Sequence, residues 1–358
     1  MENVVPLNAP FQQRSKAARQ AALLRSFANH RRSGDDVFWL KENAEALNIL
    51  ECTGAQPAPE DLEVYAAFYD DIERRMEFFP QYYRFLLSIC LDLEDLVGKG
   101  EKGQRLADWV AREGLAQAEL SDLQRGEARR LCARRGVDPL IGDAGLSDRL
   151  REFASRSDTF AMPNKKAAYE LTHIVFYLSE YGRRDPELPE EAIDSLIFAG
   201  TLAFLDFNVD LLAEICIALR HAGQTPPDVW EIWLTQQVRC FTLTSDPAAP
   251  LGDDYHEYLM LNWFMAQSGQ GGFAAQVPEG RVCFRRTRPR SGPLRELSEC
   301  IYSMGRTRSG DWEAMRDPVS ARLSHEAHAA LVAAEAASDR FGQFFAGFAR
   351  VNLREVRA

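Results

Sequence analysis

Four side chains suited to binding or proton transfer recur along one helix near the middle of the chain, predicted to begin with Asn164 as its cap and to run through Tyr181. Tyr169, His173, Tyr177 and Glu180 follow one another at spacings of four, four and three residues. This spacing places them close to one face of an α-helix. A face that mixes aromatic and ionisable groups is typical of the wall of a binding pocket. We therefore predict Tyr169, Tyr177 and Glu180 as ligand-binding residues and His173 as a candidate catalytic residue.

Further ionisable residues fall on two later segments. Asp206, Asp210 and Glu214 are four residues apart, so that all three can share a helix face. His256 lies in the first turn of a helix that Asp253 or Asp254 can cap. Because the positive end of the helix dipole opposes protonation there, we expect its imidazole to be neutral.

These segments predict a shared site if their helices face one another. The candidate catalytic residues are then His173, Asp210, Glu214 and His256. Two imidazoles with nearby carboxylates suit acid–base chemistry, and His173, His256 and Asp210 are candidate ligands for a divalent metal. The alternative is structural: Asp210 is a first-turn acid that the helix dipole favours, and His173 is a core histidine bonded to a tyrosine.

A second candidate site is an arginine-rich segment without acidic residues. It contains Arg281, Arg285, Arg286, Arg288, Arg290 and Arg295. Guanidinium groups in a loop framed by glycine and proline can clamp a phosphate or carboxylate, which makes Arg285, Arg286 and Arg288 candidate anion ligands. The alternative is that this loop lies across an acidic protein surface.

The composition limits the function classes. The chain has 358 residues, of which 46% are hydrophobic and 27% charged, as in an ordinary globular protein. Its net charge of −11 makes nucleic acid an unfavourable partner, because an acidic surface repels phosphate. Seven cysteines without a C-x-x-C pair predict reduced thiols and a cytoplasmic location. No apolar run approaches the roughly 18 residues of a membrane helix, so we predict no membrane contact.

Helical periodicity dominates the chain and predicts an all-α fold. About a dozen helices joined by short loops indicate an α-hairpin array, either an α/α toroid or a curved helical solenoid. The exception is the stretch Gly269–Pro293, where several glycines and prolines interrupt the helical pattern and a short hairpin is one interpretation.

The domain organisation has two interpretations. One divides the chain into an N-terminal helical region, residues 1–135, a connecting segment, residues 136–163, and a C-terminal helical region with the candidate pocket, residues 164–358. The connecting segment is rich in glycine, aspartate and arginine, as linkers often are. The other interpretation is one continuous domain.

Three strings carry a resemblance to uncharacterised bacterial helical proteins. They are Leu171-Thr-His173, Asp210-Leu-Leu-Ala-Glu214 and Tyr255-His256, in this order. The chain resembles this family over about 100 residues. The resemblance implies a helical fold and a bacterial source, and it groups the three segments into one unit. It implies no reaction.

Two functions remain open from the sequence. The first is a cytoplasmic helical protein that binds a small molecule or peptide in a central cavity, with acid–base or metal-assisted catalysis as an extension. The second is a scaffold that binds another protein along a concave face and has no catalytic activity. The first predicts that ionisable groups converge on a pocket, and the second predicts an exposed apolar groove.

Overall fold

The computed structural model of the chain describes residues 15–287 and 292–351. The helices that precede residue 136 are α1 (Lys16–Arg25), α2 (Val37–Cys52), α3 (Pro59–Leu62), α4 (Ala66–Phe78), α5 (Tyr83–Val97), α6 (Lys102–Arg112) and α7 (Asp122–Ala133). A π-helical turn, Ser26–Arg31, extends α1, and 3₁₀ turns at Glu63–Tyr65 and Pro80–Tyr82 precede α4 and α5.

The remaining helices lie after residue 136. They are α8 (Leu146–Ala154), α9 (Ser157–Phe160), α10 (Lys165–Leu178), α11 (Glu190–Leu205), α12 (Val209–His221), α13 (Asp228–Val238), α14 (Tyr255–Gln267), α15 (Leu294–Ser303), α16 (Trp312–Ser320), α17 (His325–Ala336) and α18 (Phe341–Phe348). A 3₁₀ turn, Gly305–Thr307, lies between α15 and α16. The predicted all-α fold is confirmed, whereas the toroid or solenoid shape stays a prediction.

Two short strands interrupt the helical pattern in the described residues. β1 (Phe241–Ser245) pairs antiparallel with β2 (Val282–Arg286), with Leu243 opposite Phe284. The stretch Gly269–Pro293 therefore supplies one strand of a pair, and the hairpin interpretation is wrong. Its partner strand lies about 40 residues upstream, before α14.

The connecting segment 136–163 contains helices α8 and α9 rather than an open linker. One continuous hydrophobic core extends from Ala22 to Ala349, and it includes Leu150 and Phe160 of this segment. Apolar packing thus crosses the predicted boundary.

Helix α10 begins where the sequence predicts and ends earlier. The Asn164 side chain accepts a hydrogen bond from the Ala167 amide at 3.1 Å, which caps the first turn. Glu180 and Tyr181 have φ values of 49° and 56°, in the left-handed region that terminates helices, and Gly182 follows at 84°. The helix consequently stops at Leu178, and Glu180 is not on its face.

Six of the helices contact one another in a closed order. Helix α2 packs against α5, α5 against α7, α7 against α10, α10 against α12, α12 against α14, and α14 packs back against α2. A closed circuit of this kind leaves a space between its members that side chains alone must fill or line. In the described part of the chain, no helix has the length and apolar character needed to cross a bilayer.

Candidate functional site

All six helices of the circuit line one cleft, with a volume of about 310 Å³. Its polar and charged walls comprise Lys41, Glu45, Asn48, Arg84, Ser88, Gln124, Glu127, Arg130, His173, Glu214 and His256. Its apolar and aromatic walls comprise Ala44, Ile49, Phe85, Leu123, Phe176, Tyr177, Tyr181, Met260 and Trp263. The cleft combines apolar and aromatic walls with polar and charged groups from several helices, a mixture that ligand sites use to hold and orient a molecule.

Glu214 is the buried carboxylate of the cleft, with a side chain only 2% exposed. Helix α12, which carries it, begins at Val209 with the Asn208 side chain accepting from the Leu211 amide. The Thr172 hydroxyl of α10 donates to Glu214 Oε2 at 2.6 Å. Since a buried carboxylate needs donors or cations, Thr172 fixes its position between α10 and α14.

His256 connects three helices through ion pairs. Its Nδ1 lies 3.3 Å from Glu45 Oε2 on α2, and its Nε2 lies 3.7 Å from both Asp210 Oδ2 and Glu214 Oε1 on α12. Burial opposes protonation, but Glu214 and Glu45 outweigh it and raise the pKa of His256 to about 10. The expected neutral imidazole is therefore wrong. The helix dipole is weaker than the nearby full negative charges.

His173 is the accessible histidine of the site. Its side chain is 42% exposed, and its Nε2 lies 3.9 Å from Glu214 Oε2. The ring is 5.8 Å from the Tyr177 ring and 6.0 Å from the Phe176 ring. His173 and His256 consequently approach the same carboxylate from α10 and α14, as the shared-site hypothesis requires.

Tyr169 and Asp210 form a pair that does not line the cleft. The Tyr169 hydroxyl donates to Asp210 Oδ2 at 2.7 Å. Burial raises the pKa of Tyr169, and the charge of Asp210 raises it further. The Tyr169 hydroxyl thus helps to position Asp210 for its ion pair with His256, because Asp210 Oδ2 faces both the hydroxyl and the imidazole.

The remaining residues of the α10 prediction are divided between two cavities. Tyr177 is buried, and burial raises its pKa. It separates the cleft from a smaller neighbouring cavity of about 180 Å³. Glu180 lines only that second cavity, where it pairs with Arg184 at 3.2 Å.

Asp206, from the later predicted segment, lies before α12 and pairs with Lys165 at 2.7 Å, away from the cleft.

The arginine segment does not reach the cleft in the described residues. Arg286 Nε bonds Glu257 at 2.6 Å, so its charge serves the packing of β2 on α14. Arg281 donates to the Pro247 carbonyl at 2.6 Å. Arg285 is exposed on the same strand, and Arg288 lies outside the described residues. Arg281 and Arg286 thus bond protein groups, as the structural alternative expects, but Arg286 lies in a strand with its side chain 5% exposed and not in a loop across the surface.

Most lining residues of the cleft were not predicted as site residues, among them Glu45 and Arg130. Glu45 of α2 reaches His256 across 211 positions of sequence. Arg130 of α7 lies with its guanidinium 4.2 Å from the centre of the Tyr181 ring, which stacks on Trp263 at 5.7 Å. The left-handed backbone at Tyr181 places this ring in the stack. An arginine on a charged helix carries no sequence signal for such a contact.

The described residues include no group of three or more histidine, cysteine, aspartate or glutamate side chains placed to hold a metal ion. The metal alternative at His173, His256 and Asp210 therefore gains no support from the described residues.

The comparisons with known proteins give a family and no activity. No curated protein matches the chain, and no solved structure does. The model of the family described as "Domain of unknown function (DUF6902)" matches residues 1–351, nearly the whole chain. The chain therefore belongs to this uncharacterised family, whose function is unknown.

Proposed function

We propose that this protein binds a small molecule in the cleft that α2, α5, α7, α10, α12 and α14 enclose. One observation carries the proposal: His173, Glu214 and His256, from three different helices, meet at a cleft whose other walls include five aromatic side chains as well as further charged ones. Buried ion pairs are costly to assemble, and a purely structural core is more stable with apolar groups. The closed circuit of helices supports the predicted toroid around this site, and seven unpaired cysteines are compatible with a cytoplasmic location.

A thermal-shift screen of a metabolite library tests the proposal. Ligands of the cleft raise the melting temperature of the wild-type protein, because they bind only the folded state. The variant Leu123→Trp fills the cleft from α7 and abolishes these shifts. The matched control Ile141→Trp alters a side chain that is 84% exposed, and it retains them. Failure of every compound, or equal shifts in both variants, would refute the proposal.

The site also favours acid–base catalysis as an extension of binding. His173 is exposed to the cleft while the buried Glu214 lies behind it at 3.9 Å, so the carboxylate can stabilise the imidazolium that a proton transfer creates. Incubating the protein in D₂O with a ligand from the screen tests this step. We expect deuterium incorporation or product formation that His173→Gln abolishes. Recovery of unchanged, undeuterated ligand would reject catalysis and leave binding intact.

The scaffold alternative has one specific observation in its favour. A groove of about 450 Å³ lies between α3, α4 and α5, lined by Pro59, Leu62, Tyr65, Leu93 and Val97. Its buried acid, Glu94, already bonds Tyr69 at 2.7 Å. If a peptide binds in this groove, its binding should be unchanged in Leu123→Trp and should be lost in Ala66→Trp, because the larger side chain narrows the groove.

A further inference from the structure

Arg130 is a buried cation of the cleft with unused hydrogen-bond donors. The residue is 5% exposed, and its Nε and Nη2 have no hydrogen-bond partner among the described residues. Its contact on one face is the ring of Tyr181. Because a cation–π contact leaves the in-plane N–H groups free, the guanidinium still lacks the acceptors that buried donors require.

Asn48 presents a second unused donor in the same cleft. It is 7% exposed, and no residue in the described chain accepts a hydrogen bond from its Nδ2. Asn48 lies on α2 and Arg130 on α7, and both line the cleft. Unpaired donors from two different helices therefore lie at the wall of the cleft, with no acceptor among the described residues within hydrogen-bond distance; Arg130 also borders the smaller neighbouring cavity.

The other cations of the cleft have protein counterions. Lys41 lies 3.7 Å from Glu45, and Arg84 lies 2.9 Å from Glu119 and also pairs with Glu127. His256 has its three carboxylates. Unlike these three residues, Arg130 forms no ion pair with any of the described residues. One negative charge on a ligand would complete the set.

A planar guanidinium matches the two oxygens of a carboxylate. A phosphate dianion fits less well, because Glu45, Glu127 and Glu214 line the same cleft and repel a second negative charge. The rings of Phe176, Tyr177, Tyr181 and Trp263 offer an apolar surface to the rest of the molecule.

We infer that the ligand of this cleft is a small organic monocarboxylic acid with an apolar or aromatic body. Its carboxylate accepts hydrogen bonds from Arg130 and Asn48, and its body packs on the aromatic walls. This inference rests on the proposed function, since it names the ligand class of the same cleft. It assigns Arg130 and Asn48 as binding residues.

Matched acids and amides test the inference. The probes are benzoate, phenylacetate, indole-3-acetate and hexanoate, each compared with its primary amide, together with inorganic phosphate. Binding constants come from calorimetry or from NMR titration of the full chain. A charge-assisted hydrogen bond is worth about 10- to 100-fold in affinity, so we expect at least one acid to bind that much more tightly than its amide. Phosphate should bind more weakly than that acid.

Three variants locate the interaction. Arg130→Met removes the guanidinium and should abolish the preference for acid over amide. Asn48→Asp keeps Arg130 and its stack, places a like charge beside the carboxylate, and should abolish the preference even if Arg130→Met does not fold. Arg125→Met removes another arginine of α7, one that pairs with Asp122 and does not line the cleft, and should leave the preference unchanged.

Three results would overturn the inference: acids and amides that bind alike, a preference that survives both Arg130→Met and Asn48→Asp, or no binding by any acid. Neutral hits from the library screen that Leu123→Trp abolishes would in those cases still support the proposed function. A library screen without cleft hits would instead reject the proposed function itself.

Discussion

Replacing His256 with glutamine removes the positive charge at the centre of the ion-pair cluster. Its ring nitrogens lie 3.3 to 3.7 Å from Glu45, Asp210 and Glu214. Glutamine preserves a polar side chain but leaves three carboxylates without their common cation. We therefore expect His256→Gln to fold with a lower free energy of unfolding, because uncompensated buried charge is costly.

The pKa of His256 gives the size and the pH dependence of this effect. A rise from 6.5 to about 10 sets an upper bound of about 5 kcal/mol, at about 1.4 kcal/mol per pKa unit. Since the side chain is 31% exposed, solvent screening reduces this figure, and we expect about 2 to 3 kcal/mol. A raised folded-state pKa stabilises fully below pH 6.5, and the contribution disappears as the pH rises towards about 10.

Urea unfolding of the wild type and the variant between pH 6.5 and about 10 measures this difference directly. The difference should be largest at the acidic end and should shrink as the pH rises. His325→Gln, at an exposed position at the start of α17, is the control and should show no such trend. A difference that is constant or grows with pH would refute the reasoning, as would an NMR titration of His256 with a midpoint near 6.5.

Three further predictions concern the scaffold. Gly200→Ala should lower the free energy of unfolding by about 1 to 3 kcal/mol, because the added Cβ would meet the Trp230 ring at 2.4 Å. Gly342→Ala in α18 meets nothing within 4 Å and should raise the free energy of unfolding by about 0.5 to 1 kcal/mol. Thermal and urea unfolding of the two variants measure both effects. Arg31→Met should cost about 3 to 5 kcal/mol by the same assay, since it leaves the buried Asp253 without its cation and leaves the buried Glu42 with Arg32 alone. A cost below about 1 kcal/mol would contradict this. Burial lowers the pKa of His221 to about 4, so the wild type should lose stability relative to His221→Asn as the pH falls from 6.5 towards 4, and parallel pH profiles would exclude this cause.

Local patterns in the sequence predict most of the helices. The Asn164 cap and the apolar spacing of α10 involve residues within one or two turns of each other, so the physics that forms them is present in a short window. The end of α10 is less predictable. Three consecutive left-handed residues from Glu180 to Gly182 are stabilised by tertiary contacts, such as the stack of Tyr181 on Trp263.

The candidate site was predictable only in part. The four-residue spacing of Asp210 and Glu214 places both on one side of α12, where each lies 3.7 Å from His256. That α10 and α14 bring His173 and His256 to this side depends on how the helices pack, which their spacing does not give. The protonation of His256 depends on Glu45, which is 211 positions away, and nothing in its local sequence marks it. The pairing of the two strands was likewise not predictable from local sequence, because α14 lies between β1 and β2 along the chain.

The seam between α2 and α14 also has a consequence for how the chain folds. One bond between the two helices joins Glu45 to His256, across 211 positions. A second joins Arg31, in the turn before α2, to Asp253, just before α14, across 222 positions. Loop-closure entropy makes such contacts late events on a folding pathway. During synthesis the ribosome releases α2, α5 and α7 long before α14. The contact between α2 and α14 therefore forms only after the other walls of the cleft have been synthesised. The cleft is therefore among the last parts of the molecule to assemble, and any chain that ends before α14 lacks one of its walls.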